Sequence, residues 1–324
     1  MWDGVRVLVE TIRRRAYSVT CHRKSDNKCR QAKVYVDPAF VGKKVYVITD
    51  AELSELKKRL ESLDAARRFF AAILSAEAGS RMFNIVSRTW NPVTGCRYNC
   101  IYCWARQLAL TKLRSSPRYR HGFKPRLNPE EFRRRFKPGE VVFVSDMGDL
   151  WGEWIPSKWI RRVLAHISKF PYTWFLFLTK NPDRYHEFID EMPENSILGA
   201  TIETNRDYYF QEGYYPRIAQ APLPSRRYKA MKTLRWPLKF ISIEPIMDFD
   251  LDTFTNWIRE IAPFMVYIGY DNYNWRLPEP PLAKTHKLIK NIGDFTLVLK
   301  KTIRPAWNET LDPYTKVPKI AGKA

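Results

Sequence analysis

Trp90-Asn-Pro-Val-Thr-Gly-Cys-Arg-Tyr-Asn-Cys-Ile-Tyr-Cys-Trp-Ala105 is the stretch of sequence that decides the fold. Its cysteines, Cys96, Cys100 and Cys103, are spaced C-x3-C-x2-C, and Tyr102 directly precedes the third. Three thiolates this close in sequence must wrap around one small object. Iron–sulfur clusters are held by cysteine thiolates, and a cubane takes four of them. With only three from this loop, one iron would keep an open coordination position for a substrate or a cofactor.

Zinc and a disulfide are the alternative interpretations of these cysteines. Zinc sites usually combine two closely spaced cysteine pairs, or cysteine with histidine, and no histidine or cysteine closely follows Cys103. Disulfides are typical of secreted, cysteine-dense chains, whereas this chain has 5 cysteines in 324 residues. The pattern therefore favours a cluster over zinc, and zinc over a disulfide.

The cysteine loop resembles the signature loop of the radical S-adenosylmethionine (SAM) superfamily, in which the aromatic residue before the last cysteine is part of the pattern. The resemblance implies a 4Fe-4S cluster whose unique iron binds the amino and carboxylate groups of SAM. It also implies that one electron from the cluster cleaves SAM, and that a 5′-deoxyadenosyl radical then abstracts hydrogen from a substrate. An external one-electron donor is therefore an expected partner.

Composition indicates a polyanionic partner. The chain has 55 Lys and Arg against 34 Asp and Glu, a net charge of +21 and a pI near 9.8, which favours nucleic acid or another polyanion. A thermophile with a charged surface is the alternative. No apolar stretch approaches the length of a membrane helix, and the first ten residues lack the features of a signal peptide. We therefore expect a cytoplasmic protein without a membrane partner.

The chain is predicted to have three parts: a small basic domain at 1–80, the main domain at 81–303, and a basic tail at 304–324. Within the first part, two β-branched runs in 33–48 flank a Pro/Gly turn and predict a hairpin. That hairpin resembles, weakly, the strand–turn–strand unit of AbrB-like DNA-binding modules. A helix is predicted at about 50–79. Cys21 and Cys29 could ligate a metal or form a redox pair, but two unrelated thiols are the preferred interpretation.

From residue 81 onwards, strand and helix signals alternate, which predicts an α/β fold built from parallel βαβ units. The strands are predicted at 84–90, 140–145, 173–179, 196–203, 238–244 and 264–270, with a terminal strand at 296–300. Helices are predicted at 101–113, 157–169, 183–191, 225–234, 250–261 and 282–290. Six units fit a partial (β/α)6 TIM-like barrel, and a flat doubly wound sheet is the alternative.

Side-chain alternation favours the barrel. On the fourth strand Gly199, Thr201 and Glu203 share one face, which suits a ligand-filled interior. On the fifth strand Ser242 and Glu244 share a face in the same way. The opposite faces are apolar and are expected to pack on helices.

Each predicted strand ends in polar residues, and active residues of α/β barrels gather at the carboxyl ends of strands. The resemblance to radical SAM enzymes implies roles for some of them. Ser145-Asp146-Met147-Gly148-Asp149 occupies the place of the motif that grips the SAM amino group, and Glu203 that of a residue which binds the ribose hydroxyls. Glu244 and Asp271 would lie near adenine or substrate. Tyr102 completes the expected cofactor-binding set.

More narrowly, the chain resembles a phage- and prophage-associated branch of radical SAM proteins of unknown function. The residues that carry this resemblance are Trp90–Gly95, Phe143–Leu150, Leu178–Lys180, Ile202–Asn205 and Ile241–Pro245. This resemblance names no substrate and no catalytic residue. All five cysteines lie at or before Cys103, which excludes classes that need a second cluster or a catalytic cysteine after the barrel.

A basic segment, residues 112–126, follows the cysteine loop, carries aromatic side chains and is continued by Arg133-Arg134-Arg135. Such a mixture suits phosphate contacts and base stacking, and a solvated loop is an equally good explanation. The candidate contact residues are Arg118, Arg120, Lys124 and Arg126. The sequence thus predicts a radical SAM enzyme acting on a nucleic acid or nucleotide. A nucleic-acid-binding protein with structural zinc, lacking radical chemistry, is the alternative.

Overall fold

The computed structural model describes residues 20–23, 29–33, 83, 85–214 and 217–309. The chain divides into two compact units, Met1–Lys57 and Lys58–Ala324. In the first unit, strands β1 (Thr20–Arg23) and β2 (Cys29–Lys33) pair antiparallel, with Cys21 opposite Ala32 and Arg23 opposite Cys29.

Residues 34–82 lie outside the described residues. That range holds the hairpin predicted at 33–48, apart from its first residue, and the helix predicted at about 50–79. The domain boundary after residue 80 and the AbrB-like resemblance therefore stay predictions.

The second unit alternates strands and helices, as its sequence predicts. In chain order its elements are β3 (Arg88–Trp90), β4 (Val93–Thr94), α1 (Trp104–Leu110), β5 (Arg126–Leu127), β6 (Val141–Val144), α2 (Ser157–Ile167), β7 (Trp174–Thr179), β8 (Ser196–Thr201), α3 (Pro224–Thr233), β9 (Lys239–Ile243), α4 (Leu251–Ile261), β10 (Met265–Ile268), α5 (Leu282–Gly293) and β11 (Leu297–Lys300). Short 3₁₀ helices span Pro129–Arg133, Pro182–Glu191 and Asp207–Phe210.

The order of the strands decides between a barrel and a doubly wound sheet. Seven parallel strands lie in the order β3-β6-β7-β8-β9-β10-β11, which is the order of the chain. A doubly wound sheet reverses its strand order at a switch point, so that helices cover both faces. A uniform order with right-handed crossovers instead places all helices on one face. The predicted α/β fold with a partial TIM-like barrel is therefore confirmed.

The two faces of the sheet divide as the alternation predicts. Leu198, Ala200 and Ile202 belong to the large core cluster that also contains buried residues of α2, α4 and α5. On the opposite face Gly199 meets an interior aromatic side chain, since a Cβ there would lie 2.0 Å from the ring of Phe240. Phe240 belongs to the interior aromatic layer with Phe83, Phe143 and Tyr267, whose rings pack at 4.5–6.4 Å. This layer fills the lower part of the barrel and leaves its carboxyl end for a cavity.

Two predictions about local structure need correction. The helix after the cysteine loop is shorter than the predicted 101–113, because Cys103 caps it and the chain turns after Leu110. The segment predicted as a helix at 183–191 is a 3₁₀ helix that starts at Pro182. The basic tail predicted at 304–324 stays a prediction: at its start Arg304 forms an ion pair with Glu279, and residues 310–324 lie outside the described part.

None of the described helices is long and apolar enough to cross a membrane.

Candidate active site at the carboxyl edge of the sheet

A cavity of about 560 Å³ opens at the carboxyl ends of the parallel strands. All three cysteines of the loop, Cys96, Cys100 and Cys103, line one side of it. The other sides come from the ends of four strands and from the loops that follow them. These lining residues include Thr179, Lys180, Thr201, Ser242, Glu244, Asp271 and Asn272. The predicted convergence of polar strand ends on one rim is therefore present.

The three cysteines are free thiols with partly preformed environments. The amide of Tyr98 donates to Cys96 Sγ at 3.5 Å, and the amide of Arg106 donates to Cys103 Sγ at 3.3 Å. Burial raises the pKa of all three thiols, and for Cys100 to about 12. Without a metal they are thus protonated at neutral pH, and a metal would have to displace those protons.

Two glycines join the cysteine loop to the loop after β6. The amide of Gly95 donates to the carbonyl of Met147 at 2.9 Å, and Gly95 forms a bridge with Gly148. Gly95 has a φ of +87°, and a Cβ there would lie 2.2 Å from the carbonyl oxygen of Lys124. A Cβ at Gly148 would lie 2.9 Å from the carbonyl oxygen of Gly95. Only glycine lets these three backbones approach so closely.

The loop predicted to grip the SAM amino group, Ser145–Asp149, lies directly beside the cysteine loop. Asp146, Gly148 and Asp149 line the cavity. Burial raises the pKa of Asp146 to about 6, although its carboxylate accepts a hydrogen bond from Asn91. Ser145 and Met147 are not among the described residues that line the cavity. The carbonyl of Met147 instead accepts the hydrogen bond from Gly95 in the cysteine loop.

Asp149 organises the neighbouring strand end. Its carboxylate accepts hydrogen bonds from the Thr179 hydroxyl at 2.8 Å, from the Lys180 amide at 3.1 Å and from the Trp151 amide at 3.0 Å. Burial nevertheless raises its pKa. Asp149 therefore ties the loop after β6 to the end of β7.

Glu203 is fully buried and lies behind the cysteine loop. Its Oε1 accepts hydrogen bonds from the Tyr102 hydroxyl and, at 2.7 Å, from Lys180 Nζ. Its Oε2 accepts one from Arg227 Nη1 at 2.6 Å. Burial acts to raise the pKa of Glu203, but Arg227 and Lys180 outweigh it and lower the pKa to about 2. Tyr102 and Lys180 line the cavity, whereas Glu203 is not among the described residues that line it. A contact between Glu203 and a ribose therefore stays a prediction.

Glu244 and Asp271 both line the cavity and already have protein partners. Glu244 Oε2 accepts a hydrogen bond from Lys301 Nζ at 2.5 Å, and burial raises the pKa of this carboxyl despite that cation. Asp271 accepts hydrogen bonds from the backbone amides of Tyr273 and Trp275 in its own loop. Glu244 and Lys301 thus present an ion pair to the cavity, whereas Asp271 holds the backbone of the loop at its rim.

The basic segment lies against the cysteine loop, since the amide of Cys96 donates to the carbonyl of Phe123 at 3.2 Å. Its four candidate residues differ in availability. Arg118 is held by ion pairs with Glu130 at 2.8 Å and with Glu131 at 2.9 Å. Arg120, Lys124 and Arg126 are exposed to solvent. The three exposed residues remain candidates for phosphate contacts. Arg118 could contact a phosphate only after breaking its ion pairs with Glu130 and Glu131.

Sequence reasoning missed three cations of the site. Lys180 belongs to one of the polar strand ends that the sequence predicts, but its ion pair with Glu203 does not follow from the distance between the two residues in the sequence. Lys301 follows the terminal strand β11 and pairs with Glu244 at the end of β9, past the end of the intervening strand β10. Arg227 lies on α3 beside a second arginine, Arg226, and nothing in the sequence indicates which of the two is buried.

Among the described residues, no group of three or more His, Cys, Asp or Glu side chains lies close enough to hold a single metal ion. In a cubane each thiolate binds a different iron, so the three thiols need not meet at one point. Three thiols that face one cavity, two of which accept amide hydrogen bonds, suit such a cluster chemically.

Residues 82–259, more than half of the chain, match the family described as "Protein of unknown function (DUF5131)". The chain belongs to the DUF5131 family. The matched range of this DUF5131 protein includes the cysteine loop, Asp149, Lys180, Glu203 and Arg227. No curated protein matches the sequence.

Several solved structures resemble this DUF5131 protein at low identity. A mutant spore photoproduct lyase with bound AdoMet and dinucleoside spore photoproduct has 12% identity and a TM-score of 0.42, covering 64% of this chain and 62% of that one. Streptococcus suis SuiB bound to S-adenosylmethionine has 10% identity and a TM-score of 0.41, covering 92% of this chain and 60% of that one. The same protein bound to precursor peptide SuiA has a TM-score of 0.40. The match thus spans about three fifths of the length of these proteins, and likenesses this distant do not indicate a function.

Proposed function

We propose that this protein is a radical SAM enzyme in which Cys96, Cys100 and Cys103 hold a 4Fe-4S cluster. The observation that carries the proposal is that one short loop presents all three thiols to a cavity at the carboxyl edge of a parallel barrel sheet. When bound, the cluster and SAM would supply a 5′-deoxyadenosyl radical for hydrogen abstraction. The three free thiols suit a reducing cytoplasm, and an external one-electron donor is part of the proposal.

The chain's own residues would prepare this site electrostatically. The positive charge of Lys180 lowers the pKa of Cys100 and Cys103, in opposition to their burial. Lys180 therefore favours the thiolate forms that ligate iron. Its ammonium also lies 5.3 Å from the centroid of the Tyr102 ring. Glu203 fixes both Lys180 and Tyr102 from behind, so these two side chains have defined positions before any cofactor binds.

The walls of the cavity would limit access of water to a reactive intermediate. Phe143 and Leu178 form its apolar floor, and Phe123, Trp104 and Leu108 form its wall beside α1. Excluding water on these sides suppresses side reactions of unstable species. Glu244 and Lys301, on the side of the cavity formed by β9 and β11, would meet the polar part of a ligand.

We further propose a nucleic acid or nucleotide as substrate. The support is the net charge of +21 and the position of the exposed basic residues Arg120 and Lys124 next to the cysteine loop. The resemblance to AbrB-like DNA-binding modules is in keeping with that choice, whereas the resemblance to prophage-associated radical SAM proteins names no substrate. Both resemblances stay predictions.

Metal analysis tests the radical SAM assignment against the zinc alternative. We expect anaerobically purified or reconstituted protein to be brown and to contain about four iron and four sulfide per chain, as a cubane requires. Reduction with dithionite in the presence of SAM should then yield 5′-deoxyadenosine. A colourless protein that holds zinc after anaerobic reconstitution would overturn the assignment and favour a structural zinc site.

Salt dependence tests the nucleic-acid assignment. Each phosphate neutralised contributes roughly −0.7 to −0.9 to the slope of log affinity against log salt concentration. Changing Arg120, Lys124 and Arg126 together to alanine should therefore make the slope for single-stranded DNA or RNA less steep by about 2 to 3. Fluorescence anisotropy of a labelled oligonucleotide over a salt series measures this.

A matched control removes the same charge elsewhere. Lys158, Lys287 and Lys290 are exposed on the outer helices α2 and α5, and their combined change to alanine should alter the slope by less than half as much. Equal effects of the two triple variants, or weak binding that is insensitive to salt in the unmodified protein, would contradict a specific contact by the basic segment.

A further inference from the structure

Two large aromatic side chains are exposed on or beside the loop between β10 and α5, whose first residues line the cavity. Tyr273 lines the cavity and is 58% exposed. Trp307 is 43% exposed, and its indole Nε1 donates to the carbonyl of Leu277 in that loop at 2.7 Å. Single exposed aromatics are ordinary, but here two are held by one loop that starts at the cavity, and the proposed function makes that cavity the active site.

A guanidinium group adds to this surface. Arg276 is exposed, and its guanidinium lies 5.3 Å from the centroid of the Trp307 ring. No carboxylate of the described residues forms an ion pair with Arg276. Asn274 and Arg276 both have left-handed backbone, with φ of +55° and +52°. That conformation is uncommon outside glycine, and it often marks sites where the direction of a side chain matters.

The loop that carries these residues is firmly held. Asp271 accepts hydrogen bonds from the amides of Tyr273, at 3.0 Å, and Trp275, at 2.5 Å. Arg304 donates to the carbonyl of Asp271 at 2.7 Å and pairs with the buried Glu279 at 2.7 Å. Tyr273, Arg276 and Trp307, which we call the aromatic rim, are therefore presented by an ordered backbone, and binding would cost little conformational entropy.

We propose that the aromatic rim stacks an unpaired base of a single-stranded nucleic acid, so that the adjoining nucleotide can enter the cavity. Every base has a π face that stacks on aromatic rings and on guanidinium planes. The net charge of +21 supplies the attraction for the backbone. This inference deepens the proposed function and rests on it for the identity of the active site. Tyr273 provides the free ring, and Arg276 provides a plane backed by Trp307.

The test compares two oligonucleotides of equal charge, single-stranded thymidine 12-mer and an abasic 12-mer, by fluorescence anisotropy on the full-length protein. We expect the thymidine oligomer to bind more tightly. Tyr273→Leu should weaken its binding by about 5- to 100-fold and leave the abasic oligomer unaffected. Arg276→Lys keeps the charge but removes the plane, so it should cost the thymidine oligomer alone about 2- to 5-fold.

Two control variants keep the test decisive. Tyr273→Phe retains the ring and should bind as the unmodified protein does. Tyr172 is 76% exposed and precedes β7, at the opposite edge of the sheet from the cavity, so Tyr172→Leu should have no effect. Equal affinity for both oligomers, or equal losses from Tyr172→Leu and Tyr273→Leu, would overturn the inference, as would polyglutamate peptide binding as tightly as thymidine oligomer.

Iron and sulfide content measured on the same preparations separates this inference from the proposed function. If the cluster is present and SAM is cleaved but the base makes no difference to binding, only the aromatic rim is wrongly assigned. If the cluster cannot be formed while the base preference follows Tyr273, the radical chemistry is wrong and the stacking site stands.

Discussion

Replacing Cys96, Cys100 or Cys103 by alanine, one at a time, is expected to abolish the iron–sulfur cluster and SAM cleavage. A cubane that loses one of only three protein thiolates has two irons without a protein ligand, and clusters with so little ligation are not retained. Cys100 is the most buried of the three, but its replacement removes only one sulfur atom from the core. We therefore expect folded, colourless variants with less than one tenth of the iron of the unmodified protein, measured together with circular dichroism.

Cys21→Ala and Cys29→Ala are the matched controls for this prediction. They remove the two remaining cysteines of the chain, which lie on β1 and β2 in the first compact unit. Both variants should keep the iron content and the yield of 5′-deoxyadenosine. If either loses its cluster, or if one of the three loop variants keeps a full cubane, the assignment of the ligands to a single loop is wrong.

Replacing Glu203 by glutamine is expected to destabilise the barrel by about 3–5 kcal/mol, because it leaves the buried guanidinium of Arg227 without its carboxylate. Both side chains are fully buried. Among the described residues, Arg227 otherwise donates to the neutral carbonyls of Pro222 and Thr201, and its Nη2 lacks a hydrogen-bond partner, so no second described carboxylate balances its charge. The glutamine oxygen can still accept from Tyr102 and Lys180, but its amide nitrogen is a donor, so the hydrogen bond from Arg227 Nη1 is lost together with the charge. Chemical denaturation of the apoprotein measures the change.

Two further variants give this prediction its controls. Glu191→Gln breaks an ion pair with Arg161 in which both partners are about half exposed, and should cost less than about 1 kcal/mol. Adding Arg227→Met to Glu203→Gln removes both buried charges and should restore most of the lost stability. Equal losses from Glu203→Gln and Glu191→Gln would show that the buried pair contributes no more than a surface pair.

The same carboxylate predicts a dependence on pH. The pKa of Glu203 is about 2 in the folded protein, against an ordinary value of 4.5. Because the folded pKa is lowered, the unfolded chain takes up the proton first as the pH falls. The stabilisation from Glu203 is therefore complete above pH 4.5 and is lost between that pH and about pH 2. The difference in unfolding free energy between the unmodified protein and Glu203→Gln should shrink over that window.

Features that depend on neighbours in the chain were predictable from the sequence. The C-x3-C-x2-C spacing places three thiols on one loop whatever the rest of the fold does, and all three face the same cavity. The strands of the barrel are short apolar runs between turn residues, so their positions follow from local composition. The alternation of Gly199 and Thr201 with Leu198 and Ala200 fixes which face of β8 is interior, since side chains of a strand alternate strictly.

Features that depend on partners distant in sequence were decided only by the tertiary structure. Glu203 meets Tyr102 from a separation of 101 residues, and Arg227 reaches it from the following helix. Trp307 donates a hydrogen bond to the carbonyl of Leu277, which lies 30 residues earlier in the chain. Positions 95 and 148 require glycine because backbones from different loops approach each other too closely there for a Cβ atom. No local rule encodes such pairs, because which buried charge meets which carboxylate depends on how strands and helices are stacked in three dimensions.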